Sequence, residues 1–249
     1  MIEPVTVDIE IPALPEAVWS YLTVGELIGR WFADCAGLHA RGRFRFEFGD
    51  GDYFVGEVTD WQEARALGLT WRFMGIGPTY EIRIELAPCA LGTRVAVSDR
   101  GATSAEEARS LREGWMDFLT RLVQSMSTGR VTRYEWSDAI SATALVGPDD
   151  AQVIAMVSEV PWWGARFPGA DLSVARIPGG VAAELRDPAW RGTSTHAEVT
   201  VARDADLAML QVRHDGWARL PVEIRLAERR RFARLWADAL AELEATVTS

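Results

Sequence analysis

The chain contains no lysine: all 26 basic residues among its 249 are arginines. Enzymes that form a Schiff base through a lysine are therefore excluded. The two cysteines, Cys35 and Cys89, are too few for a disulfide framework, and a reducing compartment fits them. The three histidines, His39, His196 and His214, do not cluster with other ligand residues at metal-site spacings. We therefore predict neither a metal site nor a cofactor.

Long apolar runs are also missing, since no stretch approaches the roughly 20 residues of a membrane-spanning helix. The N-terminus lacks the basic segment and apolar core of a signal peptide. A net charge of −10 argues against nucleic acid, which requires a basic face, and against anionic lipid. We therefore expect a cytoplasmic protein whose partners include neither nucleic acid nor a membrane.

The common catalytic motifs are absent as well. No Gly-x-Ser-x-Gly nucleophile elbow occurs. The Gly75–Pro78 segment lacks the third glycine and the following helix of a dinucleotide site. The Gly49–Asp52 segment lacks the remaining ligands of a calcium loop and is typical of a turn. The sequence thus offers no positive evidence for an enzyme, and we predict no catalytic residue.

In the first half, strand-like alternation is followed by helical periodicity. Val5, Val7, Ile9 and Ile11 share one face of a predicted strand. Two short helices are predicted at roughly 15–22 and 25–33, the first opened by Pro15. Further alternating strands follow, with Phe44–Phe48, Tyr53–Trp61, Leu69–Phe73, Tyr80–Leu86 and Val95–Val97. From about Ser104 to Met126 an apolar stripe at helical spacing indicates one long helix. This order predicts an antiparallel sheet curled around that helix.

The second half repeats this order in a shortened form. A polar break at 127–130 separates the halves, and a strand is predicted over Thr132–Val146. A helix then opens near Pro148, and Pro161–Phe167 takes the place of Gly29–Phe32. Ala208–Trp217 matches Thr93–Ala102, and a last amphipathic helix carries Phe232, Leu235, Trp236, Leu240, Leu243 and Val247. We therefore predict two α+β domains, 1–127 and a degenerate copy at 130–249.

An ordered series of motifs runs through residues 3–126. It comprises Ala13–Trp19, Gly29–Phe32, Gly42–Gly51, Gly56–Val58, Leu69–Phe73, Gly92–Val97, and Gly114-Trp115 with Phe118-Leu119. In this order the series resembles the SRPBCC (START-like, helix-grip) superfamily, in the branch named after the ATPase activator of the large heat-shock chaperone. The resemblance implies an apolar cavity between the sheet and the long helix. The residues that would line it are Trp31, Phe46, Trp71, Phe73, Tyr80, Trp115 and Phe118. The alternative is that these rings simply fill a core.

Three functions follow as hypotheses. The first is non-catalytic binding of a hydrophobic small molecule by the N-terminal domain. The others are a protein-interaction module like the chaperone-ATPase activator, and an enzyme like the polyketide cyclases and dehydratases of the superfamily. A polar pair in the cavity would favour the enzyme. The acidic hairpin around Asp50 and Asp52 could meet a basic protein partner or serve solubility. His214 is interpreted as structural, and the chain as a monomer or homodimer.

Overall fold

The computed structural model describes residues 3–147, 150–204 and 207–247, so the predicted helix start at Pro148 and Asp149 lies outside the described residues. Contacts divide the chain into two compact units. The first contains Met1–Gly49, Tyr53–Arg72 and Thr79–Glu135. The second contains Asp50–Asp52, Phe73–Pro78 and Trp136–Ser249. The predicted domain bounds of 1–127 and 130–249 stay a prediction.

The first unit is an antiparallel sheet with a long C-terminal helix. Its elements are β1 (Val5–Ile11), α1 (Pro15–Thr23), α2 (Gly25–Trp31), β2 (Asp34–Ala36), β3 (Arg43–Glu47), β4 (Tyr53–Gln62), β5 (Ala66–Phe73), β6 (Tyr80–Cys89), β7 (Gly92–Arg100) and α3 (Ala105–Thr128). Among the described residues the strand order is β1-β7-β6-β5-β4-β3-β2. The α+β helix-grip class is thereby confirmed.

Local chemistry sets the limits of the long helix α3. The Ser104 hydroxyl accepts a hydrogen bond from the backbone N–H of Glu107 at 3.1 Å, which caps the helix start. Gly129 follows the last turn with a φ of 67°, the left-handed conformation that glycine adopts without steric cost. The apolar stripe faces inward, with Trp115, Leu119 and Leu122 buried. The predicted periodicity therefore marks the buried face of α3.

The second unit repeats this plan with fewer strands. Its elements are β8 (Ile140–Leu145), α4 (Asp150–Val157), α5 (Val160–Arg166), β9 (Asp171–Ile177), β10 (Gly180–Arg186), β11 (Ser194–Asp204), β12 (Leu207–Asp215) and α6 (Arg225–Val247). Its described strands are ordered β8-β12-β11-β10-β9 and pair antiparallel. Between the short helices and β11 only β9 and β10 are found in the described chain, where the first unit has β2–β5 before β6. Two tandem copies are thus present, the second shortened.

The first strand of the second unit begins later than the predicted range of 132–146. Ahead of β8, the carbonyls of Ser137 and Ala139 accept hydrogen bonds from the Arg229 guanidinium, at 3.1 and 2.8 Å. The Asp138 carboxylate accepts from the backbone N–H of Ala218 at 2.6 Å. These groups form hydrogen bonds with Arg229 and Ala218 and not with a neighbouring strand. The strand pairing therefore begins only at Ile140.

Arg229 lies at the centre of a buried ion cluster in the second unit. Its guanidinium donates two hydrogen bonds to the Asp52 carboxylate, at 2.5 and 2.8 Å, and lies 3.6 Å from that of Asp50. The exposed fraction is 0% for Arg229 and Asp50 and 7% for Asp52. From the sequence, the two hairpin carboxylates are expected to be surface charge. They are instead buried partners of Arg229, a residue far away in the chain.

No helix within the described ranges is both long and apolar enough to cross a membrane.

Candidate functional site

The first unit gathers most of the predicted cavity residues into one aromatic cluster. Trp31, Phe46, Trp71 and Trp115 are buried in it, and the half-buried rings of Tyr80 and Phe118 pack against it. Phe73 is half-buried and falls within the second unit, so it is not grouped with the other six. Whether the six rings hold a ligand stays a prediction.

The rings of this cluster contact one another directly. Trp71 stacks on Trp115 with ring centroids 5.7 Å apart and planes 8° apart. Phe54 stacks on the same Trp71 ring at 4.6 Å. Phe32, which the sequence analysis did not select, packs edge-on against Phe118 at 4.7 Å and also contacts Trp71. Its position beside Trp31 in the Gly29–Phe32 motif was the available signal.

A buried carboxylate lies at one end of this cluster. Asp99 on β7 is 1% exposed, and its Oδ2 accepts a hydrogen bond from Trp115 Nε1 at 2.7 Å. Its other oxygen, Oδ1, is buried with no hydrogen-bond partner in the described chain. Burial raises the pKa of Asp99 to about 6, more than the Trp115 hydrogen bond lowers it, and Glu107 raises it further. This buried, half-satisfied carboxylate next to the rings makes Asp99 a candidate functional residue.

A second polar pair lies beside Asp99. The Tyr80 hydroxyl on β6 donates a hydrogen bond to Glu107 Oε1 on α3. Glu107 Oε2 accepts from the backbone N–H and the hydroxyl of Thr103, at 2.8 and 2.7 Å. Burial raises the pKa of the Tyr80 phenol, and Glu107 and Asp99 add to the rise. A Cβ at Gly101 would come 2.3 Å from the Tyr80 ring, so the absence of a side chain there makes room for Tyr80.

Sequence reasoning selected Tyr80 and Trp115 but missed Asp99 and Glu107. Asp99 continues the inward alternation of Val95 and Val97, so its parity alone placed it on the buried face of β7. An aspartate at an inward-facing position of a strand was the signal that could have identified Asp99.

The second unit carries an equivalent polar group that is fully satisfied. His214 on β12 is 0% exposed; its Nδ1 lies 2.9 Å from Trp236 Nε1 and its Nε2 lies 2.8 Å from Thr195 Oγ1. Since an indole N–H can only donate, Nδ1 accepts, and in the neutral ring Nε2 carries the proton toward Thr195. Burial holds the pKa of His214 well below its usual value. The structural role predicted for His214 agrees with these contacts.

A shallow groove of about 370 Å³ lies on the outer face of the first sheet. Its lining combines polar, charged and aliphatic residues and includes none of the seven predicted rings. The lining residues are Thr59, Gly68, Leu69, Thr70, Glu81, Ile82, Arg83, Ser98 and Arg100.

The described residues contain no cluster of three or more histidine, cysteine or acidic side chains able to hold a metal ion. Cys35 and Cys89 are free thiols.

The fold and the buried site together define a tandem helix-grip protein, with an aromatic core under the long helix of each unit. Residues 12–127 match the family model described as Activator of Hsp90 ATPase homolog 1-like protein. Over these residues the chain is similar to that family, a branch of the SRPBCC superfamily. The resemblance seen in the motif series is thereby confirmed.

Among solved structures, the chain is similar to DynU16, a protein of the dynemicin biosynthetic locus. The two are 25% identical, the match covers 99% of this chain and 100% of DynU16, and the TM-score is 0.84. MLL2253 from Mesorhizobium loti is 23% identical over 50% of this chain and 96% of its own, with a TM-score of 0.46. CalU16 from Micromonospora echinospora is 24% identical over 50% and 74%, with a TM-score of 0.44. No curated protein matches the chain.

Proposed function

We propose that the first unit binds a hydrophobic small molecule among the rings beneath α3, without catalysing a reaction. The observation that carries this proposal is the aromatic cluster that ends at the half-satisfied carboxylate of Asp99. Ligand sites combine apolar walls with a few polar groups that fix orientation, and the first unit holds both. The second unit also packs rings beneath its long helix, but its polar group His214 is fully hydrogen-bonded, which favours the first unit as the site.

The similarity to DynU16 over both units supports a role connected with small molecules, because DynU16 comes from a biosynthetic locus. The free thiols support the expected reducing, cytoplasmic location.

The test is isothermal titration calorimetry of the whole chain with 2-methoxynaphthalene, a rigid apolar ring system. Burial of such a surface, less the cost of association, limits the affinity of an unoptimised ligand to a Kd of about 1 µM or weaker. Trp71→Phe should weaken binding several-fold because Trp71 contacts both Phe54 and Trp115. Trp163→Phe, a matched change in the core of the second unit, should leave binding unchanged. Unchanged affinity in Trp71→Phe, with a lowered melting temperature, would show that the Trp71 ring is only core.

A second candidate is catalysis of the polyketide cyclase or dehydratase kind. The observation in its favour is buried Asp99 beside half-buried Tyr80 and Glu107, since an acid with a raised pKa can transfer protons near neutral pH. Turnover of an aromatic polyketide by the wild type, lost in Asp99→Asn while the variant still binds the compound, would establish this candidate in place of simple binding.

A further inference from the structure

The two units place a polar side chain at the same position of the fold. Asp99 is the penultimate residue of β7 and pairs across the ladder with Val5, the first residue of β1. His214 is the penultimate residue of β12 and pairs with Ile140, the first residue of β8. Each side chain accepts a hydrogen bond from a tryptophan indole of its long helix, Trp115 or Trp236. The two positions are therefore equivalent.

The equivalence extends to the neighbouring strand. Asp99 lies opposite Ile82 on β6, and Tyr80 precedes Ile82 by two residues on the same face. His214 lies opposite Ala197 on β11, and Thr195 precedes Ala197 by two residues. Tyr80 and Thr195 are thus counterparts.

These counterparts behave differently. Thr195 lies within hydrogen-bond distance of His214 Nε2, so both ring nitrogens are satisfied. Tyr80 turns its hydroxyl to Glu107 instead, and Asp99 Oδ1 is left buried without a partner. An unpaired buried carboxylate oxygen costs free energy, and a hydrogen-bond donor brought by a ligand would remove that cost.

We infer that Asp99 Oδ1 is the acceptor for a hydroxyl or N–H group of the ligand, which makes the preferred ligand an aromatic compound with a hydrogen-bond donor, such as a phenol. This inference rests on the proposed binding function. The carboxylate is held by Trp115, whose ring stacks on Trp71, so a planar ligand among the rings would present its donor at Oδ1. Because Oδ1 has almost no accessible surface here, the half-buried Tyr80 beside it must shift to admit the ligand.

The experiment compares two probes of similar shape, 2-naphthol and 2-methoxynaphthalene, by calorimetry at pH 7.5. A hydrogen bond to a buried carboxylate predicts that the wild type binds 2-naphthol at least tenfold more tightly than its methyl ether. Asp99→Asn keeps the shape and an acceptor for Trp115 but places an N–H₂ in one oxygen position. The preference should then fall to about onefold or reverse. Asp117→Asn, which changes an exposed carboxylate on α3, the helix that carries Trp115, should keep the tenfold preference.

Equal affinity of the wild type for both probes would overturn this inference and leave the proposed function standing. A preference that persists in Asp99→Asn would also overturn it. Failure of both probes to bind would overturn the proposed function together with this inference. If Asp99→Asn does not fold, the ratio of the wild-type affinities for 2-naphthol and 2-methoxynaphthalene alone decides the question.

Discussion

Replacing Asp99 with asparagine should change how the stability of the protein depends on pH. The pKa of Asp99 is about 6 in the folded chain, whereas an unfolded aspartate has a pKa of about 3.9. Between these values the folded state holds a proton that the unfolded state has released, so the free energy of unfolding falls as pH rises. The difference corresponds to about 3 kcal/mol, fully lost by about pH 7 and fully present only below about pH 3.

Asparagine cannot ionise, so Asp99→Asn lacks this loss. Relative to the wild type, the variant should gain about 2 kcal/mol of unfolding free energy as pH rises from 4 to 7. The titratable groups that face Asp99 are Tyr80 on β6 and Glu107 on α3, and both are retained in the variant.

The assay is urea unfolding of the wild type, Asp99→Asn and Asp117→Asn at steps between pH 4 and 7.5. The difference in unfolding free energy between variant and wild type at each pH cancels the contributions of the other titrating groups. Asp117→Asn controls for the loss of one charge. A difference between Asp99→Asn and the wild type that stays constant across this range would refute the account of a buried, ionisable Asp99.

Three further predictions concern the cores. The pKa of His214 is depressed in the folded chain, so the unfolded state binds its proton first as pH falls below the unfolded pKa of about 6.5. The free energy of unfolding should then fall by up to about 1.4 kcal/mol per pH unit below that value. His214→Gln should remove this slope in urea unfolding. Arg229→Met leaves Asp50 and Asp52 buried without their cation and should cost about 3–5 kcal/mol, which thermal unfolding would reveal as a marked fall in melting temperature. Trp71→Ala should cost roughly 3–5 kcal/mol and Trp71→Phe clearly less, measured by urea unfolding; equal costs would contradict the packing of this ring.

Much of the fold could be predicted because it depends on local periodicity. The alternation of Val5, Val7 and Ile11 matches their burial, and the stripe through Trp115, Leu119 and Leu122 is the inner face of α3. These patterns depend only on which face of a strand or helix meets apolar neighbours, so one sequence suffices to see them.

The ion cluster of the second unit could not be predicted, because no local pattern joins Arg229 to Asp50 and Asp52. Acidic residues in a Gly-Asp-Gly-Asp turn are ordinarily solvated, and only the tertiary fold brings a guanidinium to them. The strand predicted over 132–146 was too long because of the same tertiary contacts. The carbonyls of Ser137 and Ala139 accept hydrogen bonds from Arg229.

The candidate site was predicted in part. The aromatic members follow from inward parity and from the family resemblance, whereas the partner of Asp99 could be identified only from coordinates. That Tyr80 donates to Glu107 and leaves Oδ1 unpaired depends on side-chain orientation, which sequence periodicity does not determine.

The most direct test of the central claim is a crystal structure of the protein soaked with 6-bromo-2-naphthol, with the bromine located by anomalous scattering. We predict a bromine peak among the rings of the first unit and the naphthol oxygen roughly 2.5–3.0 Å from Asp99 Oδ1, the range of an O–H···O bond. A ligand found in the groove on the outer sheet face, or among Trp163 and Trp236 of the second unit, would contradict the account.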